Sequence, residues 1–497
     1  MIHQQSTTHN RRIVNLINSG FISKQKLVKY SNGVYHYFAS LPFKGYFEYS
    51  FFSGGSGKSV FEKDARLGAI MECVERFSAY SFIFFNSKDA HIGTYDEFKN
   101  NTISFNRLIS LFSSQNKRLI QYFTKLNPIL LWHKATDLSG NKTILPASLL
   151  CLTAKASNGM AAGKSIEDAT LRGLFEVIER HRTEEITKGK IHVHTISEDS
   201  ILDQNINKIL NSIKGRNEQV VIKDFSFEKT IPVICVIRIF GEKLLISTAS
   251  SFSPVQALLN ALAENIQKNH KSNYKKVENY SYLLRSPTYV SITSLPSLEH
   301  QKQKDQIYTI QEILAKKSMH AYVIDTSSPL FHVPTVQVLV TNCYFSTKNN
   351  FFIEKNRYVA TILLSLHQGN LVQANNYISL GLTQDKKHKE IYLLFKGLLK
   401  VQEGDNKSAL ANFVQSSQQK AKPFYKYVTL LCIIAYDDSF KENTKKERFL
   451  KLIMEMKQPL YFPFVLALSF PRSRLLSDFK DFIEVLNELN IGLSRSC

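Results

Sequence analysis

The sequence has few cysteines, and none of them forms a paired motif. It contains six in 497 residues, and no two of them have the Cys-x-x-Cys spacing of zinc and thiol-redox sites. Most lie in apolar runs such as residues 231–240, where a free cysteine usually packs as a small hydrophobic side chain. This usage favours a reducing compartment, so we expect a cytoplasmic protein with unpaired, buried cysteines.

Long hydrophobic runs are also missing. The longest, Tyr427–Tyr436 and Tyr461–Phe470, are about half of the ~20 residues that a membrane-spanning helix needs. The first twelve residues, MIHQQSTTHNRR, lack the apolar stretch of a signal peptide. We therefore expect neither a membrane span nor a secretory signal.

Acidic residues are scarce relative to basic ones. There are 42 Asp and Glu against 63 Lys and Arg, which gives a net charge of +21. Such a balance is compatible with nucleic acid, an acidic leader peptide or a phosphate-bearing ligand. However, the densest basic clusters, residues 386–389 and 445–448, are short, which favours lysines spread over the solvated surface. We expect no nucleic acid partner; an RNA-binding protein would show an affinity that falls steeply with salt.

What is abundant is apolar material, at 43% of residues with 34 Phe and 22 Tyr. At this length the chain exceeds what one core normally holds. We predict a leading segment at 1–35, an α/β domain at 36–346 and an all-α helical-repeat domain at 357–497. The α/β domain is expected to combine mixed β-sheets with packed helices, because strand-like runs such as residues 231–239 alternate with amphipathic segments.

The helical end of the chain contains an internal repeat. Gly369-Asn370 and Ala374 recur 35 residues later as Gly404-Asp405 and Ala409. This period is close to the ~34 residues of tetratricopeptide units, whose small residues let paired helices pack closely. Because two units are fewer than a stable array needs, we expect further degenerate helices across 420–490.

Two segments of the α/β domain share an unusual arrangement. Each has a turn of small residues and a Gly-Lys-Ser tripeptide, at 57–59 and 163–165, before a predicted helix. A phosphate-binding P-loop needs another glycine five residues before the one that precedes the lysine. Phe52 and Asn158 occupy those two positions, so neither segment is a P-loop.

The helices that follow carry clustered charges. Each has the pattern Glu-x-x-Glu-Arg, and a third helix has Glu-x-x-Gln, which places each set on one helix face: Glu72, Glu75 and Arg76; Glu176, Glu179 and Arg180; Glu264 and Gln267. Glutamate oxygens suit a Mg²⁺ ion that bridges to nucleotide phosphates, and arginine binds phosphate bidentately. A single copy would be read as a solvated ion-pair face worth ~0.5 kcal/mol or less. Two copies favour a site.

In order, these motifs resemble those of the YcaO family. That family has a small-residue turn with Gly-Lys, a Glu-x-x-Glu-Arg helix, the sequence Ser-Asn-Gly-x-x-Ala-Gly before a second such helix, and a Glu-x-x-Gln helix. All occur here, and the resemblance spans roughly residues 40 to 345. It implies a YcaO-like fold that binds ATP and Mg²⁺ and phosphorylates the oxygen of a peptide-backbone amide, for azoline or thioamide formation.

The resemblance also implies roles for individual residues. The metal ligands would be Glu72, Glu75, Glu176, Glu179 and Glu264, and the nucleotide-binding residues Lys58, Arg76, Ser157, Asn158, Arg180 and Gln267. Three positions depart from the family pattern: Gly68 replaces a frequent Ser, and Asn260 and Asn269 replace frequent arginines. Losing one arginine removes a charge-assisted hydrogen bond of ~1.5 to 3 kcal/mol, which Lys58 or Lys268 would have to replace.

The resemblance leaves two functions open. As an enzyme, the protein would act on a peptide or protein, together with a sulfur-transfer or leader-peptide-binding partner. Alternatively it would be an accessory protein of a ribosomal-protein methylthiotransferase or peptide-modifying complex, with the repeat domain as its docking module and little catalysis of its own. The end of the chain, IGLSRSC, lacks the proline-rich tail of many azoline-forming members. The helical domain also suits a homodimer.

Overall fold

The computed structural model describes residues 24–40, 54–85, 90–111, 130–146, 158–268, 273–285, 288–327, 333–343, 369–384 and 389–419, with a few single positions beside them. The strands are β1 (Lys24–Ser31), β2 (Val34–Ser40), β3 (Gly55–Ser59), β4 (Ala90–Gly93), β5 (Leu130–Asp137), β6 (Lys142–Leu145), β7 (Met160–Ala162), β8 (Thr195–Ile196), β9 (Gln219–Asp224), β10 (Val233–Phe240), β11 (Lys243–Ser250), β12 (Lys275–Lys276), β13 (Tyr289–Val290), β14 (Ala321–Asp325) and β15 (Thr335–Val340). The α-helices are α1 (Glu62–Phe85), α2 (Tyr95–Phe98), α3 (Phe105–Ser110), α4 (Ile166–Gly189), α5 (Gln204–Lys214), α6 (Pro254–Gln267), α7 (Ser281–Leu284), α8 (Gln303–Lys316), α9 (Leu371–Gln384), α10 (Lys389–Gln402) and α11 (Asn406–Ser417).

The first sheet contains β1, β2 and β3, all antiparallel and in that order. A two-residue turn joins β1 to β2, and both of its residues have positive φ, 53° at Asn32 and 77° at Gly33. Such turns match the right-handed twist of a hairpin, and Asn-Gly is the pair they favour. The predicted boundary at residue 36 therefore falls inside a hairpin, and β1 is part of this sheet.

The second sheet has the order β12-β11-β10-β9-β8-β13. Strand β10 lies inside it, antiparallel to β9 and β11, and its first six residues are buried, as the continuous apolar run predicts. Helices α5 and α6 supply buried residues to one hydrophobic core against this sheet, and α4 and α8 supply them to another. The sheet is thus covered on both faces.

The third sheet has the order β4-β5-β14-β15-β7, and β6 pairs with β5. Strands β5 and β6 form an antiparallel hairpin around residues 138–142. Its turn is held by Asp137, whose Oδ1 accepts hydrogen bonds from the backbone N–H groups of Ser139 and Asn141 at 2.9 and 2.8 Å. Trp132 is fully buried, and its indole N–H donates to the Gly93 carbonyl at 2.8 Å.

Helices α9, α10 and α11 form the described part of the helical region. Two glycines of the repeat, Gly369 and Gly404, have positive φ of 72° and 81°, and each is followed by a residue that caps a helix. The repeat therefore corresponds to a repeated helix start. Most of 420–490 lies outside the described residues, so the tetratricopeptide assignment and the additional helices remain predictions.

The cysteine prediction is confirmed for the described positions. Cys73, Cys235 and Cys343 are free and buried, and Cys432 is buried as well. Burial raises the pKa of the Cys73 thiol to about 12, so it remains neutral and unreactive. Among the described helices, none is long and apolar enough to cross a membrane.

Candidate functional site

The three charged helices meet where the three sheets adjoin. Helix α1 packs on β3 and also on β7 and β15, and α4 packs on β7, β15 and β11. Helix α6 packs on β10 and β11 and touches β2 and β3. Each pair of helices therefore shares at least one strand, which brings their charged faces together although the motifs are up to about 200 residues apart in sequence.

The contact between β3 and α1 depends on glycine. A Cβ at Gly57 would overlap the carbonyl oxygen of Ala65, and one at Gly55 would overlap that of Ala69. The helix consequently lies directly on the strand backbone. The tripeptide 57–59 is thus part of a strand, and the second one ends at Ser165, whose hydroxyl caps α4 by accepting from the Asp168 N–H at 3.2 Å. Both observations agree with the exclusion of a P-loop.

The first glutamate of the α1 motif is held on both sides. One Glu72 oxygen accepts from the backbone N–H of Ser56 in β3, and the other accepts from Arg76 one turn later. Arg76 in turn donates to the carbonyl of Gly54 at 2.7 Å. The carboxylate and the guanidinium are thereby fixed in relation to the edge of the first sheet.

The α4 motif repeats this arrangement with different backbone. One oxygen of Glu176 accepts from the Gly159 N–H at 3.1 Å, and the other accepts from Arg180 at 2.7 Å. Gly159 has φ of 77°, and its carbonyl accepts from the Val338 N–H at 2.7 Å. The side chain of Gln337 donates to the Asn158 carbonyl at 2.8 Å, so β15 positions the whole turn.

The second glutamate of each motif lacks a cationic hydrogen-bond partner within the described residues. Glu75 has no hydrogen bond or ion pair there. Glu179 accepts a hydrogen bond from the Thr248 hydroxyl in β11 at 2.8 Å. The first glutamates therefore position the arginines, whereas Glu75 and Glu179 keep oxygens that can bind a ligand.

Crowding and burial perturb these carboxyl groups. Burial raises the pKa of Glu75 well above 4.5, and the nearby Glu176 and Glu72 raise it further. Burial also raises the pKa of Glu179 to about 7, although the Thr248 hydroxyl opposes the shift. Because the carboxylates repel one another, a bound divalent cation would be favourable at this place.

We expect the metal-free protein to become less stable as the pH rises from about 5 to about 7.5. The folded-state pKa of Glu179 is raised from 4.5 to about 7, so the folded protein holds this proton more tightly than the unfolded chain. The resulting stability is fully present below about pH 4.5 and is lost as the pH rises through about 7. Thermal denaturation without divalent cations measures it. Glu179→Gln should flatten the slope, and an equal slope in both proteins would contradict the prediction.

The third helix contributes a cationic part of the site. The Glu264 carboxylate forms ion pairs with Lys58 from β3 and with Lys268 on its own helix, the latter at 3.2 Å. Burial lowers the pKa of Lys58 to about 8, despite the opposing effect of Glu72. Gln267, one turn after Glu264, contacts His36 and Ser56 of the first sheet. Lys58 and Lys268 thus place two positive charges beside Glu264.

The donor set fits a magnesium ion that also binds phosphate. Its atoms are carboxylate oxygens, and arginine and lysine side chains lie beside them. Across the described part of the chain, no three acidic, histidine or cysteine side chains form a ready-made metal cage. Mg²⁺ usually binds proteins through one or two carboxylates, retained waters and substrate phosphates, so Glu75 and Glu179 with a nucleotide suit it.

The remaining predicted positions divide into three groups. Ser157 and Asn269 lie outside the described residues. Asn260 is exposed and accepts a hydrogen bond from Gln256 at 2.9 Å, whereas the Asn158 Oδ1 is buried without a hydrogen-bond partner among the described groups. A Cβ at Gly68 would be 3.5 Å from the Cα of Gly57, an ordinary contact.

Three residues that contact the site were not predicted from the sequence: His36, Ser56 and Thr248. His36 and Thr248 belong to strands whose alternating pattern indicates only which face is buried. Ser56 was visible as part of the small-residue turn, but its contact with Gln267 spans 211 positions. No local pattern predicts such a contact.

The fold and the site define a mixed α/β domain with paired Glu-x-x-Glu-Arg helices around an acidic, arginine-lined centre. The chain belongs to the YcaO family: the family model, described as a YcaO cyclodehydratase that binds ATP and Mg²⁺, matches residues 56–343. This confirms the family and the α/β fold expected from the motifs. No curated protein matches the chain in sequence.

Solved structures share the fold. A heterocyclase in complex with substrate and cofactor is similar with a TM-score of 0.55 and 18% identity, over 65% of this chain and 50% of that chain. YcaO from Methanopyrus kandleri, bound with AMPPCP and Mg²⁺, is similar with a TM-score of 0.51 and 17% identity, over 67% of this chain and 89% of that chain. The present chain thus spans half the length of the heterocyclase. At these identities the similarity shows the fold alone.

Proposed function

We propose that this protein binds Mg-ATP at the junction of α1, α4 and α6 and uses it to activate a backbone amide of a peptide or protein. The observation that carries the proposal is the duplicated arrangement of the two Glu-x-x-Glu-Arg motifs. In each, a backbone N–H and an arginine hold the first glutamate. The second glutamate keeps oxygens for a metal.

The charges of the site support a triphosphate with its metal. Glu75 and Glu179 would provide metal ligands. Burial raises the pKa of both carboxyl groups, and the charges of neighbouring glutamates raise it further, so a divalent cation would be favourable beside them. Arg76 and Arg180 are held by ion pairs with Glu72 and Glu176, so their planar groups are ordered before a phosphate arrives. Ordered donors lose little entropy on binding, which favours tight and oriented recognition.

The reaction follows from what the site can stabilise. A backbone amide is a poor electrophile, and transfer of a phosphoryl group to its oxygen turns that oxygen into a leaving group. A magnesium ion supplies positive charge to the transferred group when it is bound. Arg76, Arg180, Lys58 and Lys268 supply fixed positive charge around the same position, and this preorganised charge is the main source of catalysis in phosphoryl transfer.

The family comparison supports the same reaction class. The matched model is described as an ATP- and Mg²⁺-binding cyclodehydratase, and one similar structure is a heterocyclase bound to substrate and cofactor. Azoline formation and thioamidation both begin with an activated amide, so the site residues do not distinguish them. The substrate is a peptide or protein in either case.

Isothermal titration with Mg-AMPPCP tests the proposal. We expect the wild type to bind, and Glu179→Gln to bind about 100-fold more weakly or not at all, because outer-sphere changes alone cost 10- to 100-fold in metal affinity. Glu184→Gln is the matched control on the same helix, since Glu184 pairs with Lys188 at 3.0 Å away from the motif. The proposal would be refuted if the wild type did not bind, or if Glu179→Gln and Glu184→Gln bound with equal affinity.

The accessory alternative is supported by the exposed Asn260, which pairs with Gln256 instead of reaching the site. In this alternative the helical region would dock a partner, and the protein would have no affinity for nucleotide. The retained carboxylates argue against it, because mutual repulsion among Glu72, Glu75 and Glu176 destabilises a site that binds nothing. The same titration separates the two functions.

A further inference from the structure

The side-chain amide of Gln267 takes part in a three-way contact that ties α6 to the first sheet. Its Nε2 lies 3.0 Å from the Nε2 of His36 and donates to the Oγ of Ser56. The Ser56 Oγ is itself 2.9 Å from the Nε2 of His36. These groups come from β2, β3 and α6, and each contact spans at least 20 positions of sequence.

The amide nitrogen of Gln267 faces His36 and Ser56, which directs the amide oxygen away from them. An amide nitrogen has two hydrogens and accepts none, so it donates to the Ser56 Oγ, and the one lone pair of His36 Nε2 is shared between the amide and the Ser56 hydroxyl. His36 must then accept at Nε2 and carry its proton on Nδ1. No donor of the described residues reaches the Oε1 of Gln267. The amide therefore offers its oxygen, an acceptor, to whatever binds beside Glu264.

The surroundings of His36 agree with a neutral ring. Burial lowers its pKa, as do the positive charges of Lys58 and Lys29. Lys58 is the direct cross-strand partner of His36 in the pairing of β2 with β3. A neutral ring can accept a hydrogen bond at Nε2, whereas an imidazolium cannot.

We propose that His36 is a positioning residue that, with Ser56, holds the Gln267 amide with its oxygen toward the ligand, so that Gln267 recognises a hydrogen-bond donor and not a phosphate oxygen. This inference rests on the proposed Mg-nucleotide site. The donor is an amino group of the base, a ribose hydroxyl or a metal-bound water. Phosphate oxygens are acceptors that the Gln267 oxygen repels, and Lys58 and Lys268 lie nearby to bind them.

The tautomer of His36 tests the orientation without any ligand. In ¹⁵N-histidine-labelled protein, long-range ¹H–¹⁵N correlation spectra distinguish the two neutral tautomers and the imidazolium. We expect Nδ1–H with an unprotonated Nε2 at neutral pH, and His36→Gln identifies the resonance by its loss. A ring protonated at Nε2 would mean that Gln267 presents its nitrogen, and it would overturn the proposal.

Two substitutions at His36 test positioning. Glutamine keeps an acceptor near the Nε2 position, whereas leucine has none. We expect His36→Gln to bind Mg-AMPPCP within about 3-fold of the wild type and His36→Leu about 10-fold more weakly, the effect of one lost hydrogen bond of ordinary strength. Melting temperatures show whether both variants fold. If leucine does not, Ser56→Ala, expected to weaken binding in the same direction, is the second variant. Equal affinity of the folded variants and the wild type would overturn the proposal.

Ligand analogues identify the donor. Purine riboside triphosphate lacks the amino group of ATP, and the 2′- and 3′-deoxy triphosphates each lack one hydroxyl. The analogue that lacks the recognised donor should bind the wild type about 10-fold more weakly than ATP, yet bind Gln267→Met as well as ATP does. If the donor is a metal-bound water, Gln267→Met instead raises the Mg²⁺ concentration needed. Donor recognition would be overturned if all three analogues bound the wild type as tightly as ATP and if Gln267→Met left the required Mg²⁺ concentration unchanged.

The outcomes separate this inference from the proposed function. If the wild type binds no Mg-AMPPCP, the proposed function fails, and the donor-recognition inference fails with it, although the tautomer measurement still shows the amide orientation. If the wild type binds but the tautomer or the variants disagree, only the role of His36 fails.

Discussion

Glu75→Gln is expected to increase the free energy of unfolding of the metal-free protein at pH 7.5 and to abolish its affinity for Mg-AMPPCP. Stability and binding should change in opposite directions because partial burial raises the pKa of Glu75, and the nearby Glu176 and Glu72 raise it further. Glutamine has the same shape without the charge. It removes the repulsion, and with it a proposed metal ligand.

The size of the stability change depends on pH in a defined way. The folded-state pKa of Glu75 lies above 4.5, so ionisation favours the unfolded chain once the pH exceeds that value. Glutamine does not ionise, and its advantage should vanish near pH 4.5 and grow with rising pH. Thermal and urea denaturation at several pH values measure it. The Glu184→Gln control should leave binding unchanged, and a Glu75→Gln protein that is less stable than the wild type would contradict the interpretation.

Gly57→Ala and Gly68→Ala should have opposite effects although the two glycines face each other. A Cβ at Gly57 would overlap the Ala65 carbonyl, so alanine has to push α1 away from β3. We expect a loss of about 3 kcal/mol or more from overpacking. At Gly68 the added Cβ would be 3.5 Å from the Cα of Gly57, and alanine favours a helix interior by about 1 kcal/mol. This variant should be neutral or more stable.

The two glycine variants also test the site, because β3 carries two residues of it. Its Ser56 N–H contacts Glu72 of α1, and its Lys58 pairs with Glu264 of α6. If Gly57→Ala folds, its Mg-AMPPCP affinity should fall, whereas Gly68→Ala should keep it. Circular dichroism and titration calorimetry on both variants measure the two effects. A stable Gly57→Ala protein with unchanged affinity would show that the close contact has no role in the site.

The duplicated motifs illustrate how one short pattern gives two roles. In each copy the first glutamate is fixed by a backbone N–H and by an arginine one turn later. The second glutamate lies almost one turn further along the helix and makes neither contact. The pattern alone gives all four glutamates similar chemistry, and the partners supplied by β3 and by the Asn158–Gly159 turn make them different.

The sequence by itself determined the helix faces of the site. A spacing of three and four residues places Glu72, Glu75 and Arg76 on one side of α1 whatever surrounds it, because helix geometry is local. The motif order predicted the family, and the residues five before each Gly-Lys pair excluded a P-loop without any structure. Ser253 and Pro254 are likewise local signals of a helix start, and α6 begins there with Ser253 as its N-cap.

Only the tertiary structure decided which residues from distant parts of the chain meet these faces. His36 and Gln267 are 231 positions apart, and Thr248 and Glu179 are 69 apart. Strand alternation indicates that such residues are inside or outside, but their neighbours depend on how three sheets and three helices pack. The first sheet begins at Lys24, whereas the α/β domain was predicted to begin at residue 36, because β1 pairs with β2. Local periodicity fixes a face, and long-range packing fixes what that face touches.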